Sequence, residues 1–342
     1  MTPLPDNPYI RDILDQPEAL ERTRAGLQAS PALEAAAARL ARGEFRQVLL
    51  TGMGSSLHAL HPLRLELAVR GLPVAMADTA ELVYYMEGAL APSTLVVAVS
   101  QSGRSVETVR LLEVNRRRAC IIGVTNTPDS PLAEGADAVV MMQAGREATV
   151  SCKTYVATLV ALAWLGGVLA GVEVAGLETV APAAAAYLAG WRAHVDEVRD
   201  TLRGVRHLFL AGRGPSRAAA HTGGLIVKEA AHFPAEGMSG AAFRHGPFEM
   251  VRDGIFLLAF AGDEPTASLM ARLAADVTAA GGRAELVSPD APEGVFRVPA
   301  VTARVRPVVE ILPVQMATLG LAALHGHEAG AFHLAAKVTV TE

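Results

Sequence analysis

The 342-residue sequence predicts an α/β protein built as two tandem units, each a parallel sheet flanked by helices. Three observations predict it. Runs of branched apolar residues without polar alternation, such as Leu95–Val99, read as strands buried on both faces. Helical patterns separate these runs, which is the alternation of a doubly wound sheet. Finally, Thr51-Gly52-Met53-Gly54-Ser55-Ser56 is echoed by Ala211-Gly212-Arg213-Gly214-Pro215-Ser216. Each ends a strand in Gly-x-Gly-x-Ser and opens a helix, which marks an internal duplication.

Taken in order, residues 9–27 and 31–42 carry apolar residues at helical spacing, with Gly43 closing the second helix. A strand at 48–50 passes through the first glycine–serine turn into a helix reaching about Arg70. A strand at 73–77 precedes a helix at 79–86, and the 95–99 strand precedes a helix to Arg118. Strands at 120–124 and 138–142, with a short helix at 131–135 between them, complete the first sheet. Long helices follow at about 151–171 and 176–203. The second unit then offers a strand at 207–210, a helix at 216–232, a loop at 233–247 and a strand at 255–260. A helix at 265–280, strands at 284–288 and 295–297, and a helix at 307–325 complete it. The expected division is a helical segment 1–44, a first unit 45–175, a second unit 176–330 and a tail 331–342.

Half of the residues are apolar (51%), and aromatics are scarce, which gives a sizeable core of small side chains. A net charge of −5 argues against a nucleic-acid binder. The one tight basic run, Arg116–Arg118, falls at the end of a helix, where cations suit the dipole. Two cysteines, Cys120 and Cys152, give no disulfide framework and fit a reducing compartment. The first residues are acidic and carry no apolar core segment, unlike a signal peptide. The uncharged stretch Thr154–Gly171 is at the lower limit for a membrane span, but its glycines and flanking strand–helix units predict a buried helix of a cytoplasmic protein.

The most informative stretch is Ser100-Gln101-Ser102-Gly103-Arg104-Ser105. It joins a buried strand to a helix, whose first turn leaves N–H groups unpaired and whose dipole favours an anion. Three hydroxyls around one turn can donate to phosphate oxygens. The alternative is that Ser102 or Ser105 only caps the helix. The second unit has Ala259-Phe260-Ala261-Gly262-Asp263-Glu264 at the corresponding place, where acidic residues would repel phosphate. The first unit therefore holds the anion, and the second is adapted to something else.

The second unit offers Glu229, near the end of an apolar helix, and His245, in a loop with Gly246 and Pro247. A carboxylate in partly apolar surroundings can exchange protons near neutrality, and a histidine beside it suits proton shuffling on a sugar phosphate. The alternative is an ordinary surface glutamate and a bystander histidine. His58 with His61, and His325 with His327, are spaced as paired ligands, but neither pair has a companion cluster, so no metal is expected. Gly52-x-Gly54 lacks the third glycine of a dinucleotide fingerprint, and no cofactor is expected.

The order of Gly54-Ser55-Ser56, the serine turn, Val150-Ser151-Cys152-Lys153, Gly212-Arg213-Gly214, Lys228-Glu229, His245-Gly246-Pro247 and Ala336-Lys337-Val338 resembles the sugar-isomerase (SIS) domain family over roughly residues 45–342. Within it, the pattern resembles the isomerase half of glutamine–fructose-6-phosphate aminotransferase and stand-alone relatives that deaminate or isomerise amino-sugar phosphates. The resemblance implies that each of the two units is a five-stranded parallel sheet flanked by helices in a three-layer, flavodoxin-like arrangement. The resemblance implies that Ser55, Ser56, Ser100, Gln101, Ser102 and Ser105 bind the sugar phosphate, with Ser151 near the sugar hydroxyls. It implies that Glu229 is the base moving a proton between C1 and C2, and that His245 assists ring opening, donated by the neighbouring subunit of a homodimer. It implies that Lys337 closes over the substrate from the tail, and that neither metal nor nicotinamide takes part. Residues 1–44 are too few for a glutaminase domain. Ala242 stands where relatives often carry a glutamate, Ile226 where the synthase has a second lysine, and Val-Ser-Cys-Lys is one residue shorter than Val-Ala-Ser-Thr-Lys. The tail reads Leu-Ala-Ala-Lys-Val-Thr, which leaves the lysine register open by one.

The function expected is isomerisation coupled to loss of the amine, glucosamine-6-phosphate to fructose-6-phosphate and ammonia. The alternatives are a plain sugar-phosphate isomerase, a fructosamine-phosphate deglycase, or a non-catalytic sugar-phosphate-binding regulator. No nucleic-acid or membrane partner is expected.

Overall fold

The computed structural model describes residues 7–334 and 337. Two compact units divide the chain: residues 19–145 and 154–177 form one, and residues 7–18, 146–153 and 178–334 the other.

Helices α1 (Pro8–Leu14), α2 (Gln16–Gly26) and α3 (Pro31–Ala41) come first. The single helix expected over 9–27 is broken at Asp15. Pro17 removes an N–H and crowds the carbonyl of Ile13, and the Gln16 side-chain amide donates to that carbonyl instead (2.8 Å). The side chain of Asn7 caps α1 by accepting from the N–H of Ile10 (2.8 Å).

The first sheet consists of β1 (Gln47–Gly52), β2 (Val74–Asp78), β3 (Thr94–Val99), β4 (Cys120–Thr125) and β5 (Ala138–Met141). All pairs are parallel, in the order β2-β1-β3-β4-β5. Helices α4 (Gly54–His58) and α5 (His61–Val69) follow β1, α6 (Thr79–Tyr85) follows β2, α7 (Val106–Asn115) follows β3 and α8 (Pro131–Gly135) follows β4. One face of the sheet packs Leu49, Val96 and Ile121 against Leu82 and Val83 of α6 and Leu111 of α7. Every residue of β3 is buried, as a central parallel strand requires.

Helix α9 (Lys153–Ala170) leads out of the first sheet, and α10 (Val180–Leu188) and α11 (Trp191–Thr201) follow. The helix expected over 176–203 is thus two helices parted at Ala189-Gly190, where glycine weakens a helix interior. The second sheet has four strands, not the five expected: β6 (His207–Gly212), β7 (Ala235–Ser239), β8 (Ile255–Phe260) and β9 (Arg283–Val287), all parallel, in the order β7-β6-β8-β9. The expected loop 233–247 contains β7 and the short helix α13 (Gly240–Arg244). The expected strand at 295–297 is a single bridge, Ser288 to Arg297.

Helices α12 (Arg217–Ala231), α14 (Ala267–Ala279) and α15 (Pro307–His325) complete this unit. On one face Phe209, Leu257 and Ala259 pack with Phe243 of α13 and with Met270, Leu273 and Val277 of α14. Against β7, α12 approaches so closely that a Cβ at Gly237 would overlap the backbone of Ala220 and His221. Helices α9 and α15 are each long and apolar enough to cross a membrane, but 83% and 89% of them is buried inside the fold. Cys120 and Cys152 are both free thiols.

Candidate functional site

In the first sheet the chain order reverses between β1 and β3, and ligands of open α/β sheets gather beyond the strand ends at such a point. The register pairs Gly52 with Val99, so the turn after β1 and the serine turn after β3 lie side by side there. Ser55 and Ser56 sit half-buried on α4, and the Ser55 hydroxyl is buried without a hydrogen-bond partner among the described residues.

The serine turn is held by its own backbone. The Gln101 carbonyl accepts from the N–H of Asn126 (3.0 Å), and the Gly103 carbonyl from the N–H of Leu132 (3.2 Å). Gly103 adopts φ +62°, and a Cβ there would overlap the Ser130 side chain, so the turn requires glycine. The hydroxyl of buried Ser100 accepts from the N–H of Gly103 (3.1 Å), and that of Ser102 from the N–H of Arg104 (3.2 Å). A hydroxyl that accepts keeps its proton to donate. Ser105 occupies the cap position of α7 but makes no capping bond; its hydroxyl pairs with that of Thr108 at 2.8 Å. The cap reading of Ser105 therefore does not describe what the side chain does. The first N–H groups of α7 lack intrahelical acceptors, as at any helix start. This turn offers donors and no carboxylate of its own, the chemistry that receives a phosphate.

In the second unit the turn after β6, the counterpart of the turn after β1, is filled from within. Ser216, after β6, is buried, and its hydroxyl donates to Oε1 of Glu310 on α15 (2.8 Å). Glu310 is fully buried and its carboxyl is pushed up to about 7. Burial is the main cause, Asp263 adds to it, and the Ser216 hydroxyl and Arg306 oppose it. Asp263, in the turn after β8, is ion-paired with Arg306. Where the first unit leaves hydroxyls free for an anion, the second has a carboxyl of its own. The expectation that only the first unit's turn suits a phosphate rests on the acidic pair Asp263-Glu264 alone; of that pair, Asp263 is held by Arg306.

Glu229 lies half-buried in the last turn of α12. Of its apolar neighbours Ile226, Ala230 and Phe233 are buried, while Leu225 is only half-buried. The Tyr9 phenol, hydrogen-bonded to the Thr318 hydroxyl at 3.2 Å, is in electrostatic reach of Glu229. Burial above all holds that phenol well above its usual range, the charges of Cys152, Glu229 and Glu147 add to this, and the Thr318 bond opposes it. Tyr9 has no sequence motif, and only the folded chain reveals this neighbour. Glu310 had a legible signal, as the one carboxylate in a mostly apolar helix.

His245 ends α13, is exposed, and gives its N–H to the carbonyl of Ala242 (2.9 Å) before the chain turns through Gly246 and Pro247. Ser151 is half-buried between Val150 and Cys152, both buried, and the N–H of Cys152 donates to Glu147 Oε1 (2.9 Å). Beside it, buried Lys153 binds Asp12 and Asp15 of the N-terminal segment, each at 2.9 Å. Burial pulls the Lys153 ammonium down, but the two carboxylates outweigh it and raise its pKa. Lys337 is half-buried, and its neighbours 335–336 and 338–342 lie outside the described residues. Glu229, His245 and Ser151 thus belong to one compact unit and the phosphate-type serines to the other.

Comparison with known proteins accords with this architecture. The SIS domain model matches residues 44–166 and again 201–288. The chain belongs to the SIS domain family, with the domain present twice. Over 333 residues it is 29% identical to the glutamine–fructose-6-phosphate aminotransferase (isomerizing) of Pyrococcus horikoshii, covering 93% of this chain and 55% of that one. The chain thus spans about half the length of the curated relatives it matches. Two solved structures share the fold. One is the C-terminal domain of glucosamine-fructose-6-phosphate aminotransferase from Francisella tularensis (TM-score 0.80, 21% identity, covering 95% of this chain and 98% of that one). The other is glucosamine-6-phosphate deaminase from Thermotoga maritima (TM-score 0.79, 18% identity, covering 98% of this chain and all, 100%, of that one).

Proposed function

We propose that this protein is a sugar-phosphate isomerase that deaminates an amino-sugar phosphate, converting glucosamine-6-phosphate and water to fructose-6-phosphate and ammonia. The observation that carries the reading is the serine turn after β3, where the hydroxyls of Ser100 and Ser102 accept from the backbone and keep their protons for an anion. The relatives named as aminotransferase and deaminase supply the substrate class.

In this reading Ser55, Ser56, Ser100, Gln101, Ser102 and Ser105 bind the phosphate, and Ser151 faces the sugar hydroxyls. His245 assists ring opening; its exposure suits donation to a partner subunit of a homodimer. Glu229 takes the proton from C2 of the open-chain aldose and returns it to C1, so that the C2 amine becomes an imine. Water adds at C2, and ammonia leaves as the ketone forms. Lys337 closes over the substrate from the tail. The chain divides functionally at 1–44, 45–175, 176–330 and 331–342, and we place it in the cytoplasm, where both thiols stay reduced.

The test is Glu229→Gln. The base acts in the transition state, so turnover should fall by at least about 100-fold while phosphosugar affinity stays within about threefold. Turnover that survives the substitution overturns the assignment of the base.

A further inference from the structure

The second sheet reverses chain order between β6 and β8, and beside that reversal, on the α13–α14 face, lies a cleft that the reaction above does not use. Its volume is about 310 Å³, within the range of small-ligand sites. Three arginines line it: Arg213, directly after β6, Arg244 on α13, and Arg272 on α14. One carboxylate faces them, Asp276, and it is paired with Arg244 at 2.6 Å. Nε of Arg213 is buried without a hydrogen-bond partner, and Arg272 is exposed, with no ion pair or hydrogen bond among the described residues. Leu269 and Met270 give the cleft an apolar wall.

Guanidinium groups brought around one cavity repel each other unless an anion lies among them, and their forked donors match a phosphate in two-point contact. In the glycine turn nearby the Ser216 hydroxyl is committed to Glu310, and Arg306 is ion-paired with Asp263. The positive charge left uncompensated is that of Arg213 and Arg272. We propose that this cleft is a second anion site, separate from the serine turn, which takes a small organic phosphate: the phosphate between Arg213 and Arg272, the carbon part over Leu269 and Met270.

Equilibrium dialysis with radiolabelled inorganic phosphate at low ionic strength tests this on the full chain. The unaltered protein should bind two equivalents, and Ser102→Ala with Ser105→Ala should retain one. Arg213→Gln with Arg272→Gln, added to that background, should remove it. Arg272→Gln alone, an exposed change that leaves the fold intact, should weaken it about tenfold, since a lost charge-assisted hydrogen bond is of that order. Binding that the serine substitutions abolish and the arginine substitutions leave untouched overturns the second site. Binding that only the arginine substitutions abolish upholds it and overturns the serine turn instead. No binding in any variant overturns both.

Discussion

The buried carboxyl of Glu310 makes a prediction whose size follows from its surroundings. The group titrates near 4.5 when solvated and at about 7 in the fold, raised mainly by burial. Between those values the native protein holds a proton that the unfolded chain has released, so unfolding becomes easier as pH rises. The stability tied to Glu310 is intact below about pH 4.5, declines from there to pH 7, and is level above that. At about 1.4 kcal/mol per pH unit the loss between pH 5 and pH 8 is on the order of 2.5 kcal/mol. Glu310→Gln cannot ionise, and its amide oxygen can still accept from Ser216. Urea unfolding should be followed by the fluorescence of Trp191, in the same unit, with Trp164→Phe as the common background. The stability of the parent minus that of the Gln variant should then fall by about 2–3 kcal/mol between pH 5 and pH 8. Curves that run parallel across this range would refute the reasoning, because the remaining titrating groups are common to both proteins.

Three further outcomes are expected. Gly237→Ala forces a Cβ into the backbone of α12; it should cost about 1–3 kcal/mol in urea unfolding, and turnover should drop because α12 carries Glu229. Ser102→Ala with Ser105→Ala should weaken binding of fructose-6-phosphate by about 10-fold or more, measured by calorimetry, since each charge-assisted bond to phosphate contributes about 1.5 kcal/mol or more; unchanged affinity would remove the phosphate from this turn. Lys153→Met leaves Asp12, which is buried, without its cation; unfolding measurements should show a loss of about 3–5 kcal/mol, and a neutral result would show that the pair is dispensable.

How much of this the sequence discloses depends on whether the determining contacts are local. The strand Leu95–Val99 is legible because a central parallel strand is apolar on both faces, and the observed β3 is buried throughout. Strand β7 is not legible. Glu236, Gly237 and Ser239 are poor strand formers, and the segment is a strand only because it pairs with β6, Leu208 opposite Ala235. Its glycine is explained by the approach of α12, a contact distant in sequence. The opposite error arises at Val295–Arg297, whose apolar character resembles a strand but which finds only one bridge, with proline following at Pro299. Pro17 ends α1 by a local rule that was in plain view in the sequence.

The same distinction applies to the candidate site. Ser100 to Ser105 act through one turn, so their spacing exposes them. That Ser216 is met by Glu310, and that Tyr9 lies near Glu229, depends on residues far apart in the chain, which only the packed helices bring together. The arginines of the second cleft come from three separate elements and share no motif.

The most direct measurement incubates the purified protein with glucosamine-6-phosphate and follows ammonia and fructose-6-phosphate in the same sample. Both products should form in equal amounts and disappear with Glu229→Gln. Fructose-6-phosphate and ammonia both remaining at background, while the protein still binds the phosphosugar, would contradict the proposed deamination.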